Sequence, residues 1–170
     1  MTTYKRTKVL VVLMLTTLLF LSGCANFLQP EPGTIAQEEA RFELTEGGLQ
    51  GAVLDTNELR LVYSVSESGD MFNLDGTLTF DRSLTDSFGV INRFFFKMSF
   101  LDGDGRVIQT VDITPLFRSF SYVWDQLQVK ESLVKPEGAV FIAFNYFGEF
   151  SGSADEMGGD EWEIFYFPYE

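Results

Sequence analysis

Cys24 carries the only thiol in this 170-residue chain, and the sequence contains no histidine. The lack of histidine excludes Ser-His-Asp and Cys-His catalysis, together with every metal site that uses an imidazole ligand. Ahead of Cys24 lie basic residues at positions 5, 6 and 8, an apolar run over Val9–Phe20 and the small residues Ser22 and Gly23. This order predicts a secretory signal peptide. The apolar run has 12 residues, whereas a helix that crosses a bilayer needs about 20.

The four residues that end at the predicted cut, Leu21-Ser22-Gly23-Cys24, resemble the lipobox of bacterial lipoproteins. The resemblance implies that residues 1–23 are removed, that Cys24 is diacylated, and that the lipidated N-terminus anchors the chain in a membrane. In many lipoproteins of diderm bacteria, an Asp after this cysteine retains the protein in the inner membrane. Ala25 stands there instead, so the resemblance implies an envelope lipoprotein that is transferred to the outer membrane.

The charge of the predicted mature chain narrows its choice of partners. Residues 24–170 contain nine basic and all 25 acidic residues, which gives a formal charge of −16. Such a polyanion lacks the clustered Lys and Arg that contact phosphates, so we expect no nucleic-acid partner. Anionic lipid would repel it as well, so membrane attachment depends on the acyl chains. Lipidation uses the only thiol and leaves none for a disulfide or a redox couple, and we expect no cofactor.

The mature chain is long enough for one domain with a hydrophobic core. Residues 24–48 are predicted to form a flexible tether, because prolines and a glycine interrupt regular structure there. Within that tether, residues 35–44 are compatible with a short helix or with an edge strand. From Leu49 onward the hydrophobic period is two, and turn residues separate short apolar runs. We therefore predict a single antiparallel, Ig-like, all-β sandwich over residues 49–170.

One predicted strand shows this alternation most clearly. Its inward face is entirely apolar and consists of Phe94, Phe96, Met98 and Phe100. Phe95 and Lys97 share the opposite face, where truncating Lys97 should cost little stability. Residues 114–129 have both helical spacing and strand alternation, and we favour a turn or brief helix near Pro115 followed by a strand.

The stretch Met98–Val107 resembles the hairpin of the FxLYD family, which comprises small Ig-like domains of bacterial exported proteins. Upstream, Gly76, Val90 and the alternating phenylalanines fit the strand pattern of that family. Most of its members have no assigned function, so the resemblance implies the fold alone.

Two acidic segments have residue types that bind hard cations. Asp102, Asp104 and Gly105 lie in one of them, but Ile113 stands where an EF-hand needs its bidentate Glu, so we expect a tight turn. We interpret the second segment as a solvated loop, and we expect no metal and no enzyme, since nothing marks a catalytic pair of acids. The acidic residues of that second segment are Asp155, Glu156, Asp160, Glu161 and Glu163.

The last two predicted strands, Val140–Phe147 and Trp162–Phe167, are apolar on both faces. A sandwich strand usually offers one face to solvent, so something must cover the second. The cover is either the chain itself, through residues 114–129 or the tether, or a partner protein of the envelope. The candidate partner surface comprises Phe95, Phe144, Tyr146, Phe165 and Phe167.

Together these patterns predict a membrane-anchored, non-catalytic binding or structural module of the bacterial cell envelope. The alternative is an envelope protein that binds a cation or a glycan through the acidic loop and the aromatic surface.

Overall fold

The computed structural model describes residues 28–45, 48–49, 51–115, 121–123, 126–152 and 161–170. Within those residues the chain forms a 3-10 turn at Glu38–Ala40 and one short helix, α1, at Arg82–Ser87. All the other regular elements are strands: β1 (Phe42–Glu43), β2 (Ala52–Asp55), β3 (Leu59–Ser68), β4 (Met71–Phe80), β5 (Val90–Leu101), β6 (Val107–Asp112), β7 (Ser121–Tyr122), β8 (Leu127–Val134), β9 (Phe141–Ser151) and β10 (Glu161–Tyr166).

These strands form two antiparallel sheets that pack face to face. One sheet has the order β2-β3-β4-β8, and the other has the order β1-β9-β5-β6. In the second sheet β10 also pairs with β9, and β7 also pairs with β5. Strands β3, β4 and β8 take the places of A, B and E in an immunoglobulin sandwich, while β6, β5, β9 and β10 take those of C′, C, F and G. The predicted all-β sandwich is confirmed.

Alternating side chains build the core between the sheets. The inward residues of β3 are apolar and buried from Leu59 to Val65, and those of β5 are buried from Phe94 to Phe100. Aromatic rings of the two sheets meet mostly edge to face, as in the pair formed by Phe72 of β4 and Phe100 of β5, whose centroids are 5.0 Å apart. Gly76 lies opposite Tyr63, where a Cβ atom would come within 2.9 Å of the Tyr63 Cβ.

The turn at Asp102 has the form that the sequence predicts. The Asp102 Oδ1 atom accepts hydrogen bonds from the backbone N–H of Asp104 at 2.9 Å and of Arg106 at 2.8 Å. Gly105 has a φ of 82°, a left-handed conformation that glycine adopts without strain. Local hydrogen bonds to Asp102 Oδ1 therefore close the hairpin between β5 and β6 as a tight turn.

The predicted tether is wrong over residues 28–45, which belong to the folded domain. The Gly33 N–H donates to the Val107 carbonyl at 2.8 Å, and the Gln37 N–H donates to the Pro168 carbonyl at 2.9 Å. Ile35 forms an antiparallel bridge with Arg106, while β1 pairs with the start of β9. Prolines and glycine do interrupt regular structure here, but the backbone groups still find partners in distant parts of the chain. The domain thus begins before residue 49.

Both segments that the sequence leaves open are now assigned where the structure describes them. Residues 35–44 contain the 3-10 turn as well as the edge strand β1. Residues 114–129 contribute β7, which pairs with the start of β5, and the first residues of β8. Residues 116–120 and 124–125 lie outside the described residues.

Candidate functional site

The outer face of the β9-β5 sheet is a second buried layer. Ala36 of the N-terminal segment and Tyr169 of the C-terminal tail pack there against Leu101, Val107 and Ala143. The chain therefore covers much of this face itself. The N-terminal segment, one of the two covers that the sequence allowed, is confirmed in this role, and the C-terminal tail is an addition to it.

A chain of polar contacts fixes this cover. The Tyr169 Oη atom donates to Ser99 Oγ at 2.9 Å and lies 3.4 Å from Asn145 Oδ1. The Asn145 Nδ2 atom donates to the Leu28 carbonyl at 2.7 Å, and Ser99 Oγ lies 2.8 Å from Thr110 Oγ1. Burial raises the pKa of Tyr169 to about 12. Ser99 and Asn145 are fully buried, so the network satisfies side chains that would otherwise be costly to bury.

The five aromatic residues of the predicted partner surface separate into two groups. Phe144 and Tyr146 are fully buried in the core between the sheets, so their assignment to a surface is wrong. Their register explains this result, because they lie opposite the inward residues Met98 and Phe96 of β5. They share the face of β9 that packs against β3 and β4.

The other three residues do lie on the outer face. Phe95 and Phe165 both pair with Phe147 of β9, which gives an aromatic row across three strands. Phe165 is 62% exposed and stacks on the half-buried Phe167 at a centroid distance of 6.1 Å. Lys97 also lies on this face but is only 7% exposed, so its low predicted cost of truncation stays a prediction for a buried side chain. Other parts of the chain thus cover Lys97, although the strand alternation places it on the outer face of the sheet.

A concave site opens at one end of the sandwich. It is a cleft of about 360 Å³ between the loop that follows β2, helix α1 and the start of β10. Trp162 forms one wall, and it is 54% exposed. Phe88 lies beside it, with ring centroids 6.2 Å apart and ring planes within 23° of parallel. The residues that line the cleft are Asn57, Glu58, Ser83, Leu84, Ser87, Phe88 and Trp162.

A tyrosine of the core fixes the polar side of this cleft. Tyr146 Oη donates to Glu58 Oε2 at 2.7 Å and lies 2.8 Å from Thr56 Oγ1. Burial is the main cause that raises the pKa of Tyr146, so the phenol stays protonated and keeps this contact at neutral pH. The Asp81 N–H donates to the Glu58 carbonyl at 2.8 Å, which ties the loop to the start of α1. Glu58 is therefore fixed on two sides.

Local sequence explains why α1 forms beside the loop. The Asp81 side chain accepts a hydrogen bond from the Ser83 N–H at 2.8 Å, which is an N-cap. The helix ends at Ser87, and the extended Phe88 then directs the chain into β5. Sequence reasoning missed this helix and the cleft, although an Asp two residues before a Ser at the end of an apolar strand is a recognisable cap signal.

The acidic residues of the alternative, cation-binding interpretation give no cluster in the described part of the chain. Across those residues, no group of three or more Asp, Glu, Cys or His side chains is arranged to hold a metal ion. Glu161 and Glu163 are exposed on β10, while Asp155, Glu156 and Asp160 lie outside the described residues. The signal peptide and Cys24 lie outside them as well. In the described ranges, no helix has the length and apolar character that crossing a membrane requires.

Comparison with known proteins identifies no relative of this chain. No protein-family model, no curated protein and no solved structure matches this chain. The class that the structure defines is therefore an all-β sandwich with an Ig-like strand order and a cleft at one end. The resemblances to the lipobox and to FxLYD domains stay hypotheses.

Proposed function

We propose that this chain is a lipid-anchored lipoprotein of the bacterial cell envelope, attached through Cys24 to the outer membrane, and that its sandwich is a non-catalytic binding or structural module. The observation that carries the proposal is the sequence Leu21-Ser22-Gly23-Cys24 after a basic head and a short apolar run. The sandwich itself has the all-β architecture common in exported and cell-surface modules, which supports the same class by analogy.

The start of the folded domain bears on how such an anchor would work. Leu28 is only 7% exposed, and its carbonyl is bound by Asn145 on the outer face of the sheet. Cys24 is four residues earlier, so its attachment point lies within about 14 Å of that face, given at most about 3.6 Å per extended residue. We therefore propose that the anchor holds the domain close to the membrane surface. A long flexible tether between the anchor and the domain is not part of this proposal.

The chemistry of the described residues supports a non-catalytic role. Among the described residues that line the cleft, one carries a carboxylate, Glu58. Glycoside hydrolysis by the usual route needs two carboxyl groups about 5–10 Å apart across the substrate. The other polar side-chain groups of these described residues are the Asn57 amide, two serine hydroxyls and the Trp162 indole N–H, all of which can form hydrogen bonds with a ligand.

The anchor is tested by mass spectrometry and detergent partitioning of the chain expressed in a diderm bacterium. The unaltered chain should begin at a diacylated Cys24 and enter the detergent phase. Cys24→Ser should give an unprocessed or non-acylated protein, because acylation requires the thiol. Ser22→Ala is the matched control, since it keeps a small residue and should leave lipidation unchanged. An unmodified Cys24, or cleavage elsewhere, contradicts the proposal.

A further inference from the structure

We propose that the cleft between Phe88, Trp162 and Glu58 binds a neutral saccharide, with the exposed ring of Trp162, held by Phe88, as a stacking platform and the polar residues as its rim. This inference rests on the geometry of the cleft and is independent of the lipid anchor. It gives the binding module a ligand class.

The platform has the form that a sugar ring requires. Trp162 is 54% exposed, and its ring is held by stacking on Phe88, with ring planes 23° from parallel. Aromatic faces carry partial negative charge, and the C–H bonds on one face of a pyranose carry partial positive charge. The aromatic face and the C–H face of the sugar therefore attract each other, and both are desolvated when they come into contact. Tryptophan offers the largest such face of any side chain.

The ring geometry argues against an organic cation as the ligand. Cages for quaternary ammonium groups surround the charge with several aromatic faces. Among the described residues that line the cleft, the aromatic ones are Phe88 and Trp162, and they stack with their ring planes within 23° of parallel. They therefore do not surround a point charge.

The rim supplies the polar contacts that sugar hydroxyls need. Asn57 has an amide that both donates and accepts, while Ser83 and Ser87 have hydroxyls that do the same. Glu58 accepts from Tyr146 through Oε2, and the carboxylate still has lone pairs to accept from a ligand hydroxyl. Because Tyr146 is held in the core, the carboxylate is oriented before the ligand arrives, which lowers the entropic cost of binding.

Size and charge limit the saccharide further. The cleft of about 360 Å³ falls at the small end of ligand sites, which span roughly 300–1,000 Å³. It suits one or two sugar rings of a longer chain. Among the described residues that line it, none is basic and one is acidic. An anionic sugar would meet the Glu58 carboxylate without a compensating cation, so the ligand is neutral.

The test uses the full chain purified in detergent, titrated with cellotetraose and with N-acetylchitotetraose. The chain has two tryptophans, so Trp124→Phe leaves Trp162 as the sole indole reporter. We expect a saturable change in its fluorescence with at least one tetrasaccharide, and we expect calorimetry on the unaltered chain to give the same affinity. Trp162→Ala should weaken binding at least tenfold, and Glu58→Gln should weaken it several-fold.

Phe165→Ala is the matched control. Phe165 is an exposed aromatic residue of the same strand, on the opposite face of the sheet, and its loss should leave the affinity unchanged. Equal weakening by Phe165→Ala would place binding on the outer face and overturn the proposal. So would the absence of saturable binding of both sugars at millimolar concentration, or binding of tetramethylammonium that Trp162→Ala abolishes while neither sugar binds. Thermal melting of each variant separates lost binding from lost folding.

Discussion

Strands β5 and β9 have buried side chains on both faces, but the two faces are covered by different means. On the inner face, rings such as Phe96 and Phe144 stack on each other at 5.6 Å and pack against the second sheet. On the outer face, the N-terminal segment and the C-terminal tail are joined to the sheet by the contacts of Ser99, Asn145 and Tyr169. One face is covered by regular structure and the other by irregular chain.

The difference follows from the physics of the two kinds of cover. Apolar burial is non-directional and roughly proportional to the area removed from water. A second sheet with alternating apolar side chains therefore covers the inner face along its whole length, without specific contacts at each position. Irregular chain has backbone donors and acceptors without a ladder, and each must find an individual partner. The outer face therefore needs buried polar side chains at particular positions. Asn145 meets that need by binding the Leu28 carbonyl.

The largest expected effect is on the inner face. Phe96 is fully buried and contacts Phe94, Phe144 and Tyr146 through its ring. Phe96→Ala should lower the free energy of unfolding by about 3–5 kcal/mol, because it removes apolar contacts and leaves a cavity. Denaturant unfolding followed by circular dichroism measures the change.

The neighbouring residue provides the control for that variant. Phe95 lies on the outer face and is only half-buried, so Phe95→Ala should cost clearly less than Phe96→Ala. An equal or larger loss for Phe95→Ala would mean that the irregular cover stabilises the sheet as strongly as the second sheet does. The contrast between the two faces would then fail.

A smaller effect is expected from the polar network of the outer face. Asn145→Ala removes little apolar area but leaves the Leu28 carbonyl without its side-chain donor. Leaving a buried polar group unpaired costs about 1–3 kcal/mol, so the free energy of unfolding should fall by that amount. Hydrogen exchange of the Gly33 and Gln37 amides should also accelerate, because the N-terminal segment is held less firmly.

Another asparagine of the sandwich serves as the control. Asn73 accepts a hydrogen bond from Ser132 at 2.8 Å on the solvent side of β4. Asn73→Ala should change the stability by about 0.5 kcal/mol or less, because water replaces an exposed partner. If Asn73→Ala costs as much as Asn145→Ala, burial of the network is not what makes it important.

The contrast between the faces also explains which parts of the structure the sequence predicts. The sequence predicts the inner face because Phe94, Phe96 and Met98 alternate within one segment, and a hydrophobic period of two indicates a strand with one buried face. The sequence indicates that the outer face is covered, but it does not predict the contacts that fix the cover, because Leu28 and Asn145 are 117 residues apart and no local pattern connects them. Burial of Lys97 could not be foreseen for the same reason.

The cleft could not be predicted from the sequence for a related reason. Trp162 shares a face of β10 with the buried Ile164, so alternation alone places it in the core. It lies at the start of β10, however, where the opposing layer is helix α1 and the loop that follows β2. Its exposure depends on where the second sheet ends, which is a property of the packed domain and not of the strand. By contrast, the Asp102 turn was predictable because all its hydrogen bonds are local.

Two buried tyrosines give the smallest and sharpest comparison, because removal of one hydroxyl should have opposite effects on the two faces. Tyr63 Oη, on the inner face, is buried without a hydrogen-bond partner among the described residues, whereas Tyr169 Oη donates to Ser99. Tyr63→Phe should therefore raise the free energy of unfolding by about 1 kcal/mol, since it removes an uncompensated desolvation cost. Tyr169→Phe should lower it by about 1 kcal/mol.

Alkaline unfolding curves check the same comparison independently. The pKa of Tyr169 is raised from 10.0 to about 12. Its contribution to stability is therefore complete below pH 10 and is lost as the pH rises towards 12, since the unfolded state releases the proton first. Tyr169→Phe should flatten the decline of stability across that interval. If both Phe variants shift stability in the same direction at neutral pH, hydroxyl pairing does not distinguish the faces, and apolar packing alone accounts for the outer cover.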